Sequence, residues 1–368
     1  SGIFDDDYVL QTANISAIST SPYKPRINAS KLAQRWCIGE AAAAKTLKVT
    51  TQMGIRNCLY PIERRFRTKQ SQLRYPQLSG RHGRFYTDTF FATAPAISKC
   101  AQLFVNDIGF SKVYPMRLKS EAPNALQCFI HDVGVPQVFH SDNAKELLEG
   151  RWRQICNDFS IQTTYTEPNT PQQNRAECHI RETKKHIHRK MKARNVPKCL
   201  WSYCAKWSSD VRNRTASNSF ALEGRTPYEA VYGHTPDISS LCEYDFYEPV
   251  WFYEPHSFPE DKRIMGRWLG EAHNIGQAMC YWILPSSGIP IARSTVQPIA
   301  DADKTSEEVI QELAALDEAI KAKLVTGAEK IEEIDIPDYL RLRDEDDDTS
   351  TPQFDPIEPE AAMPEADE

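Results

Sequence analysis

Three acidic residues in distinctive local settings are the part of this 368-residue chain best suited to chemistry. Asp88 lies in an alternating apolar stretch, residues 84–92, which predicts a β-strand. Asp142 ends a short apolar run, and Glu177 follows a turn-rich segment that leads into a long helical pattern. Asp142 lies 54 positions after Asp88, and Glu177 lies 35 positions after Asp142. A fold that brings these segments together would gather three carboxylates in one place.

Carboxylates in such a group suit Mg²⁺ and Mn²⁺, hard cations that prefer oxygen ligands and retain waters and substrate phosphates. Two such ions can stabilise both the entering and the leaving oxygen of an in-line phosphoryl displacement, without a nucleophile from the protein. The alternative is that the three residues are unrelated. The chain has 50 acidic residues, so some triple is easy to find, and an Asp at a strand end is often a turn former.

The elements that must position these carboxylates can be outlined from periodicity. The sequence predicts strands near 84–92, 101–107, 111–117, 137–141 and 161–165, and helices near 120–132, 149–158 and from about 174. Three strands in a meander, followed by alternating helices and strands, predict an α/β fold with a mixed sheet and helices on both faces. Asp88 would then lie on the central first strand, Asp142 at the end of the fourth strand, and Glu177 on the long helix.

Several segments together resemble the integrase region of copia-like (Ty1/copia class) LTR retrotransposon Gag-Pol polyproteins, and more broadly the retroviral-type integrase catalytic core. They are residues 84–92, 100–122, 138–143, 170–177, 225–241 and 266–270, so the similarity covers roughly residues 30–300. The resemblance implies a ribonuclease H-like core in which Asp88, Asp142 and Glu177 are both catalytic residues and ligands of two Mg²⁺ or Mn²⁺ ions. The implied activity is a polynucleotidyl transfer that joins the 3′ ends of element DNA to target DNA.

Two positions depart from the family pattern. Ala144 stands where the family usually has Gly, and Asn174-Arg-Ala-Glu177 is one residue shorter than the usual Asn-Gly-x-Ala-Glu. Two alternatives therefore stay open beside the integrase. One is a catalytically decayed or co-opted integrase-fold protein that only binds DNA, and the other is a ribonuclease H-like nuclease that cuts without joining.

Basic residues follow Glu177 along one face of the long helix. Arg181, Lys184 and His188 lie 4, 7 and 11 positions after it, which is the spacing of one helical face. By the resemblance, Arg181 and Lys184 would contact the terminal DNA of the element. The alternative, a solvated basic face, applies equally to Lys185, Arg189 and Lys190.

A second basic segment precedes the first predicted core strand. Arg64, Arg65 and Arg67 alternate with aromatic residues there, so the segment could bind a DNA backbone, and a solvated linker is the alternative. The net charge of −6 hides an asymmetry, because residues 331–368 hold fifteen acidic and two basic residues and residues 1–330 therefore carry +7. A basic body suits phosphate binding, and the acidic, proline-containing end predicts a disordered tail.

The ends of the similar region predict smaller modules. Ser30 is the expected N-cap of a first short helix and Glu40 begins a second, in a helix-turn-helix pattern that fits either DNA binding or packing. Residues 244–300 predict a small β-barrel-like module. The pair Thr305 and Glu308 predicts a capping box before an amphipathic helix, which would dock onto the body or pair between subunits.

These patterns divide the chain into eight segments. They are an N-terminal extension (1–27), a helix-turn-helix-like domain (28–60), a basic linker (61–83), the catalytic core (84–198), a helical extension of the core (199–243), the β module (244–300), the amphipathic helix (301–326) and the acidic disordered tail (327–368).

We expect no zinc, because the residues before Asp88 include only His82, Cys37 and Cys58 as candidate ligands. A second group, His186, His188, Cys199 and Cys204, has no familiar ligand spacing, so surface histidines and buried cysteines are expected instead.

No apolar stretch predicts a membrane span, and the scattered cysteines are typical of reduced thiols. The chain begins at Ser1 without an initiator Met, as expected of a fragment released from a polyprotein. The expected partners are element-end DNA, target DNA, further copies of the chain, and the reverse transcriptase of the same polyprotein. The expected location is the nucleus, reached through a cytoplasmic virus-like particle.

Overall fold

The computed structural model describes residues 26–52, 76–94, 96, 98–142, 144–167, 174–253, 263–273, 275 and 280–330. Its first seven strands are β1 (Gln77–Leu78), β2 (Arg84–Phe91), β3 (Cys100–Asn106), β4 (Ser111–Met116), β5 (Val135–Pro136), β6 (Val138–Ser141) and β7 (Gln162–Tyr165). Five of them form a sheet in the order β4-β3-β2-β6-β7, and β1 pairs with β5 beside it. The meander β2-β3-β4 is antiparallel, whereas β6 and β7 are parallel to β2, so the sheet is mixed.

The helices are α1 (Ala29–Trp36), α2 (Glu40–Lys48), α3 (Ala122–Asp132), α4 (Lys145–Leu148), α5 (Gly150–Asp158), α6 (Arg175–Ala193), α7 (Trp201–Arg214), α8 (Pro227–Tyr232), α9 (Ser239–Glu243) and α10 (Glu307–Lys330). Both faces of the core sheet are covered by helices. Leu103 and Val105 of β3 pack with residues of α6 and α7, while Phe104 between them packs with residues of α3 and α5. This alternation is the period-two pattern of a strand buried on both sides.

The core therefore has the predicted mixed α/β architecture, and each predicted core strand and helix lies within two residues of the observed one. The strand β2 is central, with β3 on one side and β6 on the other. That position confirms the prediction for Asp88, and the start of α6 at Arg175 confirms the long helix that carries Glu177.

The predicted pair of N-terminal helices is present, but its cap is not Ser30. The side chain of Asn28 accepts a hydrogen bond from the backbone N–H of Lys31, 2.8 Å away, so α1 begins two residues earlier than Ser30 would allow. Leu32 and Trp36, four positions apart, lie on the same face of α1, and both side chains are fully buried. Cys37 ends the helix in the left-handed conformation (φ 53°) and turns the chain toward α2.

The helical pair packs directly on the core. The indole N–H of Trp36 donates to the carbonyl of Leu241 (3.1 Å), and the hydroxyl of Thr46 accepts from the backbone N–H of Ala216 (2.9 Å). Leu32 and Trp36 belong to the same buried cluster as Ile187 of α6. The packing use of the predicted helix-turn-helix is thus observed, and its use in DNA binding stays a prediction.

The C-terminal module contains β8 (Pro249–Tyr253), β9 (Arg263–Glu271), β10 (Tyr281–Leu284), β11 (Ile291–Arg293) and β12 (Val296–Pro298). The strands form a sheet in the order β11-β10-β9-β8-β12, and every neighbouring pair is antiparallel. Among the described residues no pairing joins β11 to β12, so the small β module is an open sheet and not a closed barrel.

The amphipathic helix α10 docks onto this module. Leu316 and Ile320 are buried, and the Arg267 guanidinium pairs with Asp317 at 2.6 Å. The expected capping box is wrong, because the Thr305 hydroxyl donates to the carbonyl of Ala302 (2.9 Å) within a short 3₁₀ turn and the helix begins only at residue 307. The helix continues to residue 330, four residues into the segment assigned to the tail.

Several predictions lie outside the described residues, among them the basic residues Arg64, Arg65 and Arg67, most of the N-terminal extension, and the acidic segment from residue 331. The division into eight segments also stays a prediction. Within the part of the chain that the structure describes, all cysteines are free thiols. None of its helices combines the length and the apolar character that a membrane crossing requires.

Candidate active site

Asp88 lies in the middle of β2, at the centre of the core sheet, with its side chain partly buried. Its neighbours Thr87 and Phe90 are buried on the two sides of the strand, so the strand is fixed in position. The backbone N–H of Thr89 donates to Oδ1 of Asp88 at 2.7 Å, which orients the carboxylate.

Asp142 comes directly after β6, which runs parallel to β2. The pairing places Tyr86 opposite His140, and Asp88 and Asp142 each lie two residues farther along, at the same level of the sheet. Oδ1 of Asp142 is buried and accepts no hydrogen bond from any described residue. A buried carboxylate oxygen without a donor is costly, and a cation ligand would satisfy it.

Glu177 is the third residue of α6, and the side chain of Asn174 connects the start of this helix to β2. Oδ1 of Asn174 accepts from the backbone N–H of Ala176 (2.9 Å) as the N-cap, while Nδ2 of Asn174 donates to the carbonyl of Thr87 (3.4 Å). Asn174 thus holds the first turn of α6 beside the strand that carries Asp88. Glu177 itself is exposed.

The three carboxylates interact electrostatically. The pKa of Asp88 is raised from 3.8 to about 6, first by burial and then by the negative charges of Asp142 and Glu177, against the hydrogen bond from Thr89 and the charge of Lys119. Because the charges of Asp142 and Glu177 disfavour the charged form of Asp88, this part of the structure has a surplus of negative charge. The structure therefore places Asp142 and Glu177 within electrostatic range of Asp88, and carboxylate oxygens are the ligands that a hard divalent cation prefers. That the three residues bind metal stays a prediction.

Three residues at the edge of this cluster were not predicted from the sequence. The Lys119 ammonium lies 3.1 Å from Oε1 of Glu146 and 5.3 Å from the centre of the Phe91 ring, which is 52% exposed. Nothing in the spacing of these three residues could have indicated the group, because they come from the end of β2, a 3₁₀ turn and α4. Together they place a cation whose charge acts on Asp88 and an exposed aromatic ring beside that cation.

The basic face of α6 is exposed as predicted. Arg181, Lys184 and His188 all point to solvent, and the Lys184 ammonium lies 5.6 Å from the centre of the Phe90 ring. The opposite face contains the buried residues Ala176 and Ile187. Whether the exposed cations contact DNA stays a prediction.

Two polar residues of α6 contradict the expectation of solvent exposure. Lys190 is 1% exposed and forms an ion pair with Asp245, while its ammonium also donates to the carbonyl of Arg35 (2.6 Å). His186 is buried, with Nδ1 2.6 Å from the Ser208 hydroxyl and Nε2 2.7 Å from the carbonyl of Trp36. The physical reason is tertiary: α1 and the chain around Asp245 cover this side of α6.

The same contacts bear on the expectation of no zinc. Both ring nitrogens of His186 already have polar partners, which removes this residue as a metal ligand in that group. For the chain as a whole, the absence of zinc stays a prediction.

A second group of possible metal ligands lies between α7 and β9. Ligand atoms of Asp210, Glu271 and His273 all lie within 4.8 Å of one another. Burial alone would raise the pKa of Asp210, but Lys112 at 2.9 Å, His273 at 2.8 Å and Arg214 hold it well below its usual value. Because cations already compensate these carboxylates, the group is an ionic connection between α7 and β9 and lacks the surplus negative charge seen around Asp88.

Comparison with solved structures finds similar chains among retroviral integrases. One belongs to a simian T-cell lymphotropic virus intasome in complex with PP2A regulatory subunit B56 gamma, with 15% identity over 60% of this chain and 82% of that chain and a TM-score of 0.34. Two others are the HTLV-2 integrase catalytic core domain in complex with magnesium. The dimeric form is 15% identical over 39% of this chain and 92% of that chain, with a TM-score of 0.33. The trimeric form is 17% identical over 40% and 95%, with a TM-score of 0.32.

No protein-family model and no curated protein matches the chain. The fold assignment rests on the strand order β4-β3-β2-β6-β7, the central position of β2, and the helical layers on both faces. These features give the core the mixed α/β architecture that was predicted for a ribonuclease H-like fold.

Proposed function

We propose that this chain is a metal-dependent DNA strand transferase, the integrase of a copia-like LTR retrotransposon. The proposal is carried by one observation: the charges of Asp142, at the end of β6, and of Glu177, in the first turn of α6, both act on the partly buried Asp88 of β2, whose pKa is raised to about 6 by burial and by these two charges. The copia class comes from the sequence resemblance alone.

Asp88, Asp142 and Glu177 would hold two Mg²⁺ or Mn²⁺ ions. The buried, unpartnered Oδ1 of Asp142 and the raised pKa of Asp88 both fit such a role, because a bound cation would relieve each of them. The ions would supply electrostatic stabilisation of the oxygens that enter and leave the phosphorus atom.

The proposed reaction is a one-step transesterification. The terminal 3′-hydroxyl oxygen of the element DNA forms a bond with a target phosphorus, and the bond from that phosphorus to the target 3′-oxygen breaks. Arg181, Lys184 and His188 would orient the DNA, because they continue the exposed face of α6 that begins with Glu177. Lys119 and Phe91 would contact the strand at the edge of the cluster, as a phosphate partner and a stacking surface.

The partners and the location follow from this proposed activity. Two element ends must be joined to one target, so we propose a homo-oligomer that binds element-end DNA and target DNA. We also propose release from a polyprotein, association with the reverse transcriptase of that polyprotein, and action in the nucleus after passage through a cytoplasmic virus-like particle.

The direct test is a joining assay. The purified protein is incubated with a labelled duplex that mimics an element end, a supercoiled plasmid, and Mn²⁺ or Mg²⁺, in parallel with Glu177→Gln and Glu308→Gln variants. Glu308 is an exposed residue of α10 and gives the same chemical change away from the cluster.

Three outcomes separate the candidate functions. Joined products that vanish in the Glu177→Gln variant and persist in the Glu308→Gln variant would establish the strand transferase. Nicks without joined products would indicate the ribonuclease H-like nuclease. DNA binding without any strand breakage would indicate a decayed or co-opted DNA-binding protein.

A further inference from the structure

An open groove of about 600 Å³ lies on the side of α6 that faces away from Glu177. Its walls come from the turn between α1 and α2, from α6, from the end of α7, and from the chain after α7. We call it the Arg212 groove and define it by Gly39, His179, Glu182, Arg189, Arg212 and Ser217.

The groove is separate from the proposed active site because of helical geometry. His179, Glu182 and Arg189 lie 2, 5 and 12 positions after Glu177, which places all three more than a quarter turn away from it around the helix axis. Arg181 and Lys184, in contrast, lie on the same face as Glu177. A ligand in the groove would therefore contact a surface that the carboxylate cluster does not use.

Arg212 is a partly buried cation that forms no ion pair with any described residue, and the more distant charge of Glu182 favours its charged form. Its Nη1 donates to the Thr183 hydroxyl (3.0 Å) and its Nη2 lies 3.5 Å from Nδ1 of His179, and both partners are neutral acceptors. No carboxylate lies within 4.0 Å of it among the described residues, and burial lowers its pKa. A guanidinium that is held out of water without an anion is costly, so a bound anion would be stabilised there.

The acidic residues near Arg212 already have other cations as partners. Glu182 pairs with Lys185 at 3.0 Å, and Asp107, which also lines the groove, pairs with Arg175 at 3.1 Å. Arg189 is exposed and adds a second positive charge that has no ion pair in the described part of the chain. The groove therefore has a surplus of positive charge.

Hydroxyl groups line the groove beside these cations. On the opposite wall, the Ser217 hydroxyl accepts from the backbone N–H of Ser219 (3.2 Å) and keeps its own hydrogen for a ligand. Guanidinium, hydroxyl and positive potential form the donor set that phosphate groups prefer.

We propose that the Arg212 groove binds the phosphate backbone of DNA, as a second nucleic-acid surface on the face of α6 opposite the carboxylate cluster. The choice of DNA as the phosphate source rests on the proposed function, because joining two DNA molecules requires more than one DNA-binding surface. The cations and hydroxyl groups that line the groove do not depend on that function.

The test is metal-free DNA binding by the full chain. A labelled duplex is titrated in EDTA at several salt concentrations with the protein and with Arg189→Gln, Arg212→Gln and Arg153→Gln variants. Arg153 is an exposed residue of α5 and controls for the loss of one surface charge. Each groove variant should weaken binding about three- to tenfold and reduce the slope of log K against log salt by about one, with a clearly smaller effect of Arg153→Gln.

Arg212→Gln can also disturb packing, so its melting temperature is measured beside the binding. A purely structural role would lower stability without changing the salt slope. Arg189 is exposed and makes no hydrogen bond within the described residues, so its variant keeps the test decisive even if Arg212→Gln folds poorly. Equal affinity and equal salt slope for Arg189→Gln and Arg153→Gln would overturn the proposal.

An acidic peptide is the competing class of ligand. If a synthetic peptide of residues 331–368 bound in an Arg212-dependent manner and the duplex did not, the DNA proposal would be wrong. The joining assay separates this inference from the proposed function. If the groove variants weaken DNA binding but no joined products form, only the proposed catalysis is wrong. If joined products form and the groove variants bind DNA normally, only the proposed role of the groove is wrong.

Discussion

Lys119 and Glu146 form an ion pair, with 3.1 Å between Nζ and Oε1, at the edge of the carboxylate cluster. The Lys119 charge also acts on Asp88, where it opposes the rise in pKa. Lys119 is thus a positive charge that acts on two acidic residues. Lys119 would therefore repel a divalent cation bound by Asp88.

A Lys119→Gln variant should therefore bind Mn²⁺ more tightly. Removing a positive charge from beside Asp88 lowers the repulsion of the incoming ion, and an effect of about threefold in the dissociation constant is expected for a partly solvated pair. Calorimetric titration of the DNA-free protein at pH 8 measures this change. Lys185→Gln removes an equal charge from the solvated side of α6 and should leave the affinity as it is. Weaker Mn²⁺ binding by Lys119→Gln would contradict the electrostatic argument.

Asp88→Asn should stabilise the metal-free protein at neutral and alkaline pH. Because the pKa of Asp88 rises from 3.8 to about 6 on folding, the folded chain holds the proton more tightly than the unfolded chain. The resulting loss of folding stability is absent below the unfolded pKa of 3.8. It grows as the pH rises from 3.8 and is complete above about 6. We expect a gain of about 1–2 kcal/mol at pH 8 and much less at pH 4.

Urea unfolding in EDTA at these two pH values measures the gain. Saturating Mg²⁺ should reverse the order, since it stabilises the native protein and has little to bind in the variant. If the variant is less stable than the native protein at pH 8 without metal, the charged Asp88 carboxylate does not destabilise the folded protein.

Acid should weaken the attachment of α1 to α6 through His186. The pKa of His186 is lowered to about 4, mainly by burial and further by the charges of Arg212, Arg189 and Lys190, against the hydrogen bond to the carbonyl of Trp36. A depressed pKa favours the neutral ring in the folded chain, so this stability is present above the unfolded value of 6.5 and is lost as the pH falls toward 4.

The expected loss is about 2–3 kcal/mol between pH 7 and pH 4.5, and a His186→Gln variant should lack most of it. Glutamine retains one donor and one acceptor for Ser208 and the carbonyl of Trp36. Chemical unfolding at the two pH values measures the difference, with the exposed His188→Gln as a matched control. An equal loss in native protein and His186→Gln would place the acid sensitivity elsewhere.

Asp245→Asn should destabilise the fold strongly. Asp245 is 2% exposed and pairs with the buried Lys190 and with Arg194, so the substitution leaves a buried ammonium without its counter-charge. The usual cost of such a change is about 3–5 kcal/mol.

Replacing Lys190 by Met in the same chain should recover part of this cost, because the unpaired charge is then gone. A double-mutant cycle by urea unfolding measures the coupling. Additive effects of the two substitutions would show that the ion pair contributes little.

The core could be predicted from the sequence because its strands are buried in regular patterns. The strand predicted at 101–107 is observed at Cys100–Asn106, and its alternation places Leu103 and Phe104 on opposite faces. The proximity of Asp88 and Asp142 follows from the order of the elements, since the strands that carry them are parallel neighbours.

Contacts between distant segments could not be predicted in this way. Helical spacing alone placed Lys190 with the solvated residues, yet its partner Asp245 is 55 positions away. The carbonyl that accepts from His186 is 150 positions away. The predicted caps at Ser30 and Thr305 were wrong because several nearby residues can cap a helix: Asn28 caps α1, and α10 begins only at residue 307.

The double role of Asn174 has a consequence for how this chain can vary in length. Asn174 both caps α6 and donates to the carbonyl of Thr87, so the distance from β2 to Glu177 is set by four consecutive residues. Insertions or deletions before Asn174 would change the size of the preceding connection without moving the carboxylate. A single insertion between Asn174 and Glu177 would instead rotate Glu177 by about 100° around the helix. The spacing from Asn174 to Glu177 therefore fixes the side of α6 on which the carboxylate lies.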